Sequence, residues 1–180
     1  MDIEKIKQNG LDIDFKAIAQ RGDWTAEEQV IAKWYGIFNG AENEQGKTVR
    51  IAVPGGILSA PQARGLAALA NETGNGEVAF TTRHSAELHD VPLTSIPTVL
   101  DRLAELELTT FHGSGDATRN LVRCPETKDC PRAVFDVTAD CQATATLLHQ
   151  SRDLDNLPRK YKVSFSGCSA GCAIPAFNCF

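Results

Sequence analysis

Two short-spaced cysteine pairs constrain this chain more than any other feature: CPETKDC runs from Cys124 to Cys130 and CSAGC from Cys168 to Cys172. Each pair puts two thiols on one loop. If the pairs act together, loops far apart in sequence must meet, and four thiolates so presented reach the geometry of a cubane cluster with little strain. Gly167 and Gly171 allow close backbone approach and amide hydrogen bonds to sulfur. Spacing alone leaves two other outcomes open. The thiols can be ordinary cysteines, or they can hold zinc, which usually takes tighter C-x2-C knuckles. Cys141 falls inside an expected helix and reads as a packed free thiol. Cys179 has no assignable role.

Bulk properties decide what those thiols are for. With 180 residues, 42% of them hydrophobic, the chain fits one domain or two small ones and can bury a core without disulfides. No apolar run approaches a membrane span, and MDIEKIKQNG lacks the apolar stretch of a secretory signal. The expectation is a cytoplasmic protein with no membrane partner, where cysteines serve metal or redox chemistry. The net charge of -5 argues against a nucleic-acid partner. Any anion site must then be a local gathering of Lys and Arg.

The pattern predicts an α+β fold, with helices on one side of a mainly antiparallel sheet. Thr25 and Glu28 make a capping box that opens a stripe of Val30, Ile31, Trp34, Tyr35 and Phe38, ending near Gly40. Thr48 to Val53 alternates as a strand, broken by Pro54 to Gly56. Ser59 and Gln62 make a second capping box, for a helix to about Asn71. Strands are expected over Glu77 to Arg83, Ala86 to Val91 and Leu108 to Phe111, with a helix capped by Ser95 before the last. From Gly113 onward glycines and cysteines replace this regularity. A helix from Pro131 to about Gln150 and a strand from Lys160 to Ser166 are expected there.

KYKVSFS places Lys160, Lys162, Ser164 and Ser166 on one strand face and Tyr161, Val163 and Phe165 on the other. The two lysines either protect a strand edge or form a cationic wall beside Cys168, suited to an anionic tetrapyrrole or a small oxyanion. Arg83 in FTTRH and Arg119 in GSGDATRN read, taken singly, as surface ion-pair partners. His84, His89, His112 and His149 show no metal spacing.

Assembled in order, IAVPGGILSAPQARGLAALA (51–70), FTTRHSAELHDVPL (80–93), LTTFHGSGDATRNLVRCP (108–125), LPRKYK (157–162) and SGCSAGC (166–172) resemble the sirohaem-dependent sulfite and nitrite reductases. NGLDIDF and KWYGIF extend the likeness toward the amino terminus. The resemblance implies an amino-terminal helical segment (1–45), a nitrite/sulfite reductase ferredoxin-like half domain (46–112) and a sirohaem and [4Fe-4S] domain (113–180). It implies a single half-unit, incomplete at its carboxy terminus.

The same resemblance implies an oxidoreductase taking sulfite to sulfide or nitrite to ammonia. Cys124, Cys130, Cys168 and Cys172 align with the ligands of the [4Fe-4S] cluster, and Cys172 with the thiolate shared with sirohaem iron. Arg83, Arg119, Lys160 and Lys162 align with the catalytic basic residues, which with Asn120 also contact the cofactor. Expected partners are the small anion, an electron-donor protein, and a second copy or second half-subunit. His84 stands where the family commonly has Gln, and Cys179 where an acidic residue is usual. Precorrin-3B synthase, of the same fold, is the rival enzyme, though the lysine pair and the RN turn favour the anion reductases. A truncated cofactor-free or zinc-binding domain is the non-enzymatic rival.

Overall fold

A computed structural model describes residues 2–42 and 45–180. Side-chain caps set the first three helices. Asp2 and Asp14 accept the free backbone N–H groups of α1 (Ile3–Gln8) and α2 (Phe15–Arg21), and the Thr25–Glu28 capping box opens α3 (Ala26–Ala32). The third helix stops at Ala32, short of the expected Gly40. Gly36 turns the chain at φ +70°, where a Cβ would lie 2.4 Å from the Arg50 carbonyl oxygen. Trp34 and Tyr35 therefore occupy a turn, and Phe38 lies on β1 (Ile37–Asn39).

The antiparallel sheet has the order β1-β2-β4-β3, with β2 at Lys47–Ile51, β3 at Val78–Phe80 and β4 at Ala86–Val91. Ile37 pairs with Val49, and Val49 with Leu88, so one sheet face is apolar. That face joins α2, α4 (Ala60–Thr73) and α5 (Ile96–Glu105) in a core containing Ile18, Ile51, Leu66, Leu69, Ile96 and Leu103. The Ser59–Gln62 capping box opens α4 as expected. The opposite face carries Arg50 directly across from Glu87.

Several expected elements are shorter. The strand expected to reach Arg83 ends at Phe80, because Thr81 Oγ1 accepts from the Arg83 and Ser85 backbone N–H groups and folds the chain into a turn. Leu108 to Phe111 contributes one bridge, Thr109 to Ala52, and no strand. Ser95 makes no capping bond, since it ends a 3-10 turn (Leu93–Ser95) already in helical conformation.

In the cysteine-bearing part, α6 spans Thr138–Gln150 and starts after an Asp136 turn, not at Pro131. The Val134 N–H, which a helix would need, donates instead to the Gly167 carbonyl at 2.8 Å. The expected strand over 160–166 shrinks to β6 (Ser164–Phe165), parallel to β5 (Val122–Arg123). Its extension survives nonetheless, for Arg119, Val122 and Cys124 donate backbone N–H groups to Tyr161, Val163 and Phe165. Val163 is buried, whereas Tyr161 stays exposed. Leu121, Cys141, Ala145 and Val163 form a small second core. No helix of the described residues is long and apolar enough to cross a membrane.

Candidate functional site

The expected basic residues meet. Arg83 arrives from the turn after β3, Arg119 from the loop before β5, and Lys160 and Lys162 from the extended segment beside it. All four line one open cavity of about 250 Å³, together with Arg50, Thr81, Thr82, Ser85, Gly113 and Asn120. Sequence reasoning missed Arg50, although its signal was present. In KTVRI the alternation that buries Val49 and Ile51 puts Arg50 on the polar face.

Each guanidinium is aimed by fixed acceptors. Arg119 Nη1 donates to the Gly113 carbonyl at 3.1 Å, and its Nη2 to the Gly115 carbonyl at 3.0 Å. Arg50 donates through Nε to Glu87 and through Nη1 to the same Gly113 oxygen at 3.3 Å. Arg83 Nη2 donates to Asn178 Oδ1 at 2.9 Å, leaving its buried Nη1 without a partner among the described residues. Asn120 is used differently: its Nδ2 donates to the carbonyls of Val53, Arg83 and His84, clamping the turn that carries Arg83.

Charge crowds this cavity. Burial, then the neighbouring Arg50, pushes the Arg119 guanidinium down to about 10. Lys160 is lowered chiefly by Lys162, then by Arg119. Cations that depress one another in a shared cavity are relieved by an anion.

The two cysteine loops are stapled together by backbone bonds. Cys124 N–H donates to the Phe165 carbonyl at 3.0 Å, and Val134 N–H to that of Gly167. A Cβ on Gly167 would lie 2.3 Å from the Phe135 carbonyl oxygen, so glycine permits the approach. Burial raises the Cys124 thiol first, and Cys172, Cys168 and Cys130 add to the rise, so all four thiols share one electrostatic neighbourhood. No three His, Cys, Asp or Glu side chains of the described residues converge on a single-ion point. Cys124 is buried and Cys172 exposed. Cys141 is the packed thiol expected, pushed up to about 11 by burial.

Residues 41–106 match the Nitrite/Sulfite reductase ferredoxin-like half domain, and residues 114–178 the Nitrite and sulphite reductase 4Fe-4S domain. The assimilatory ferredoxin-dependent nitrite reductase of Haloferax mediterranei is 28% identical, over 92% of this chain and 31% of its own length. The chloroplastic ferredoxin–nitrite reductase of Arabidopsis thaliana is 30% identical, over 75% of this chain and 24% of its own. The chain thus spans a quarter to a third of these relatives. The NirA protein of Mycobacterium tuberculosis shares the fold at a TM-score of 0.84 and 22% identity, covering 91% of this chain and 34% of that one. With both family domains matched in order on a shared fold, the chain belongs to the sulfite and nitrite reductase family.

Proposed function

We propose that this chain takes part in reducing a small oxyanion, sulfite to sulfide or nitrite to ammonia, with a [4Fe-4S] cluster and sirohaem. The observation that carries the reading is the gathering of five cationic side chains around one cavity, three of them on the paired segments 119–124 and 160–165 that lead into the two cysteine loops. The donor chemistry fits both groups. Cys124, Cys130, Cys168 and Cys172 would hold the cluster, and Cys172, exposed, is the thiol available to sirohaem iron. The orphaned Arg83 Nη1 and the paired lysines suit the carboxylates of an anionic tetrapyrrole and the anion itself.

When bound, the cluster and sirohaem would carry to the anion the electrons that a donor protein delivers. The chain's own residues bind and orient. Arg83, Arg119, Lys160 and Lys162 stabilise negative charge growing on the anion's oxygens, with Arg119 held in place beforehand by the Gly113 and Gly115 carbonyls and Arg83 by Asn178 Oδ1. Lys160 Nζ, lowered by Lys162, gives up a proton more readily than an ordinary lysine ammonium. An electron-donor protein and a second copy or half covering the open cavity complete the assembly. We assign it to the cytoplasm.

Purification under anaerobic conditions, with sirohaem supplied during expression, tests the reading. Sirohaem absorption and about four irons per cluster beyond the haem iron are expected. Colourless protein holding zinc or no metal would overturn it. Lys160→Ala with Lys162→Ala should weaken turnover far more than folding.

A further inference from the structure

Behind the cavity wall, His112 is fully buried and held in the left-handed region at φ +61°, uncommon for a residue other than glycine. Its backbone N–H donates to the Trp34 carbonyl at 2.6 Å, and its Nε2 lies 2.6 Å from Asp155 Oδ1. Asp155 is anchored in turn. Its other carboxylate oxygen takes Arg152 Nε at 2.8 Å, and its carbonyl accepts Trp34 Nε1 at 2.6 Å. The ring stacks on Phe111, at 4.1 Å between centroids.

The residue that follows is Gly113, whose carbonyl accepts from both Arg119 and Arg50. That peptide has little room, because a Cβ on Gly113 would lie 2.8 Å from each of the Arg50 and Thr110 carbonyl oxygens. One carbonyl thus aims two cavity guanidinium groups, and its direction follows from the backbone of His112.

We propose that His112 and Asp155 are positioning residues of the anion cavity: by pinning the 112–113 backbone they hold the Gly113 carbonyl so that Arg119 and Arg50 face the anion. The inference rests on the reading that this cavity takes an oxyanion. Burial keeps the imidazole below its ordinary value and therefore neutral, against the opposite pull of Asp155; Arg152, Arg119 and His149 also face it. A neutral ring beside a carboxylate carries its proton on Nε2 and donates it to Asp155.

The test is titration of the purified full chain with sulfate, a redox-inert oxyanion, alongside thermal unfolding of each variant. Asn tolerates a left-handed backbone but is too short to reach Asp155, so His112→Asn should weaken sulfate binding about tenfold. Asp155→Asn keeps the hydrogen-bonding shape without the charge and should weaken it about threefold; it decides the matter if His112→Asn does not fold. The decisive readout is a double-mutant cycle. Either variant placed on Arg119→Ala should cost little further affinity, because the pair acts through Arg119. Fully additive losses, or unchanged affinity in a variant that folds, would overturn the positioning role. Unchanged affinity in Arg119→Ala itself would instead overturn the anion reading.

Discussion

From Ile37 to Glu105 the inward side chains, among them Ile37, Val49, Ile51, Leu66, Leu69, Leu88 and Leu103, close into one continuous core. From Gly113 onward regular backbone shrinks to α6 and two two-residue strands, around the much smaller cluster of Leu121, Cys141, Ala145 and Val163. Apolar burial stabilises at roughly 25 cal/mol per Å², so the sheet region can hold its own shape. The cysteine region is held by loop-to-loop backbone bonds and, on the proposed reading, by what its thiols ligate. The difference accounts for where the site lies: Arg50 stands on the sheet, and the less regular region supplies Arg119 and the two lysines against it.

Removing the cluster ligands should separate the two regions most. Cys168→Ser with Cys172→Ser is expected to abolish bound iron, an effect on the order of 10 kcal/mol at structural metal sites. Amide exchange should then accelerate strongly across residues 118–180 and much less across β2, β4 and α4. Uniform loosening of both regions would break the comparison.

Core truncation comes next. Leu88→Ala, fully buried in the sheet core, should cost about 2–5 kcal/mol by denaturant unfolding. Leu121→Ala is equally buried but sits in the smaller cluster, so its cost should fall near the lower end, about 2 kcal/mol. Equal losses would show that the second region packs as firmly as the first.

Acid should then find the seam between the regions. Burial, with some help from His112, pushes His149 down to about 4, and burial lowers His112 as well. Below the ordinary histidine value of 6.5 the unfolded chain takes up protons that the folded chain refuses. Stability is thus fully present above pH 6.5 and is lost as pH falls toward 4. Between those limits the parent chain should lose on the order of 2 kcal/mol more than His149→Gln. Parallel pH profiles for the two proteins would refute a half-buried, neutral His149.

Local signals were legible wherever local forces decide. Both capping boxes form, and the alternation in β2 and β4 sets the observed sheet faces. What failed depended on distant groups. Residues 131–137 carry no helix because Val134 bonds across to Gly167, and α3 ends early because Gly36 must pass beneath the carbonyls of Arg50 and Thr110. The cavity shows the same division. Arg83, Arg119, Lys160 and Lys162 were found through motif order, whereas no spacing rule brings them together. Their convergence depends on the turn fixed by Thr81 and on the run of Tyr161 to Phe165 beside 119–124.

Two serines offer the smallest and cleanest test of that division, since their sequence contexts look alike and their structures do not. Ser59 Oγ accepts the Gln62 backbone N–H at 3.3 Å, while Gln62 returns a bond to the Ser59 N–H at 3.0 Å. Ser59→Ala removes one half of this reciprocal cap and should cost about 1 kcal/mol. Ser95 makes no such bond, because a 3-10 turn already delivers the chain into α5, so Ser95→Ala should stay within about 0.5 kcal/mol. Both helices pack on the apolar side of the sheet, away from the face that carries Arg50, so neither change should alter sulfate affinity. A measurable affinity loss in Ser59→Ala would mean that the sheet transmits strain from its core side to the cavity, and the two regions could no longer be treated as separately held.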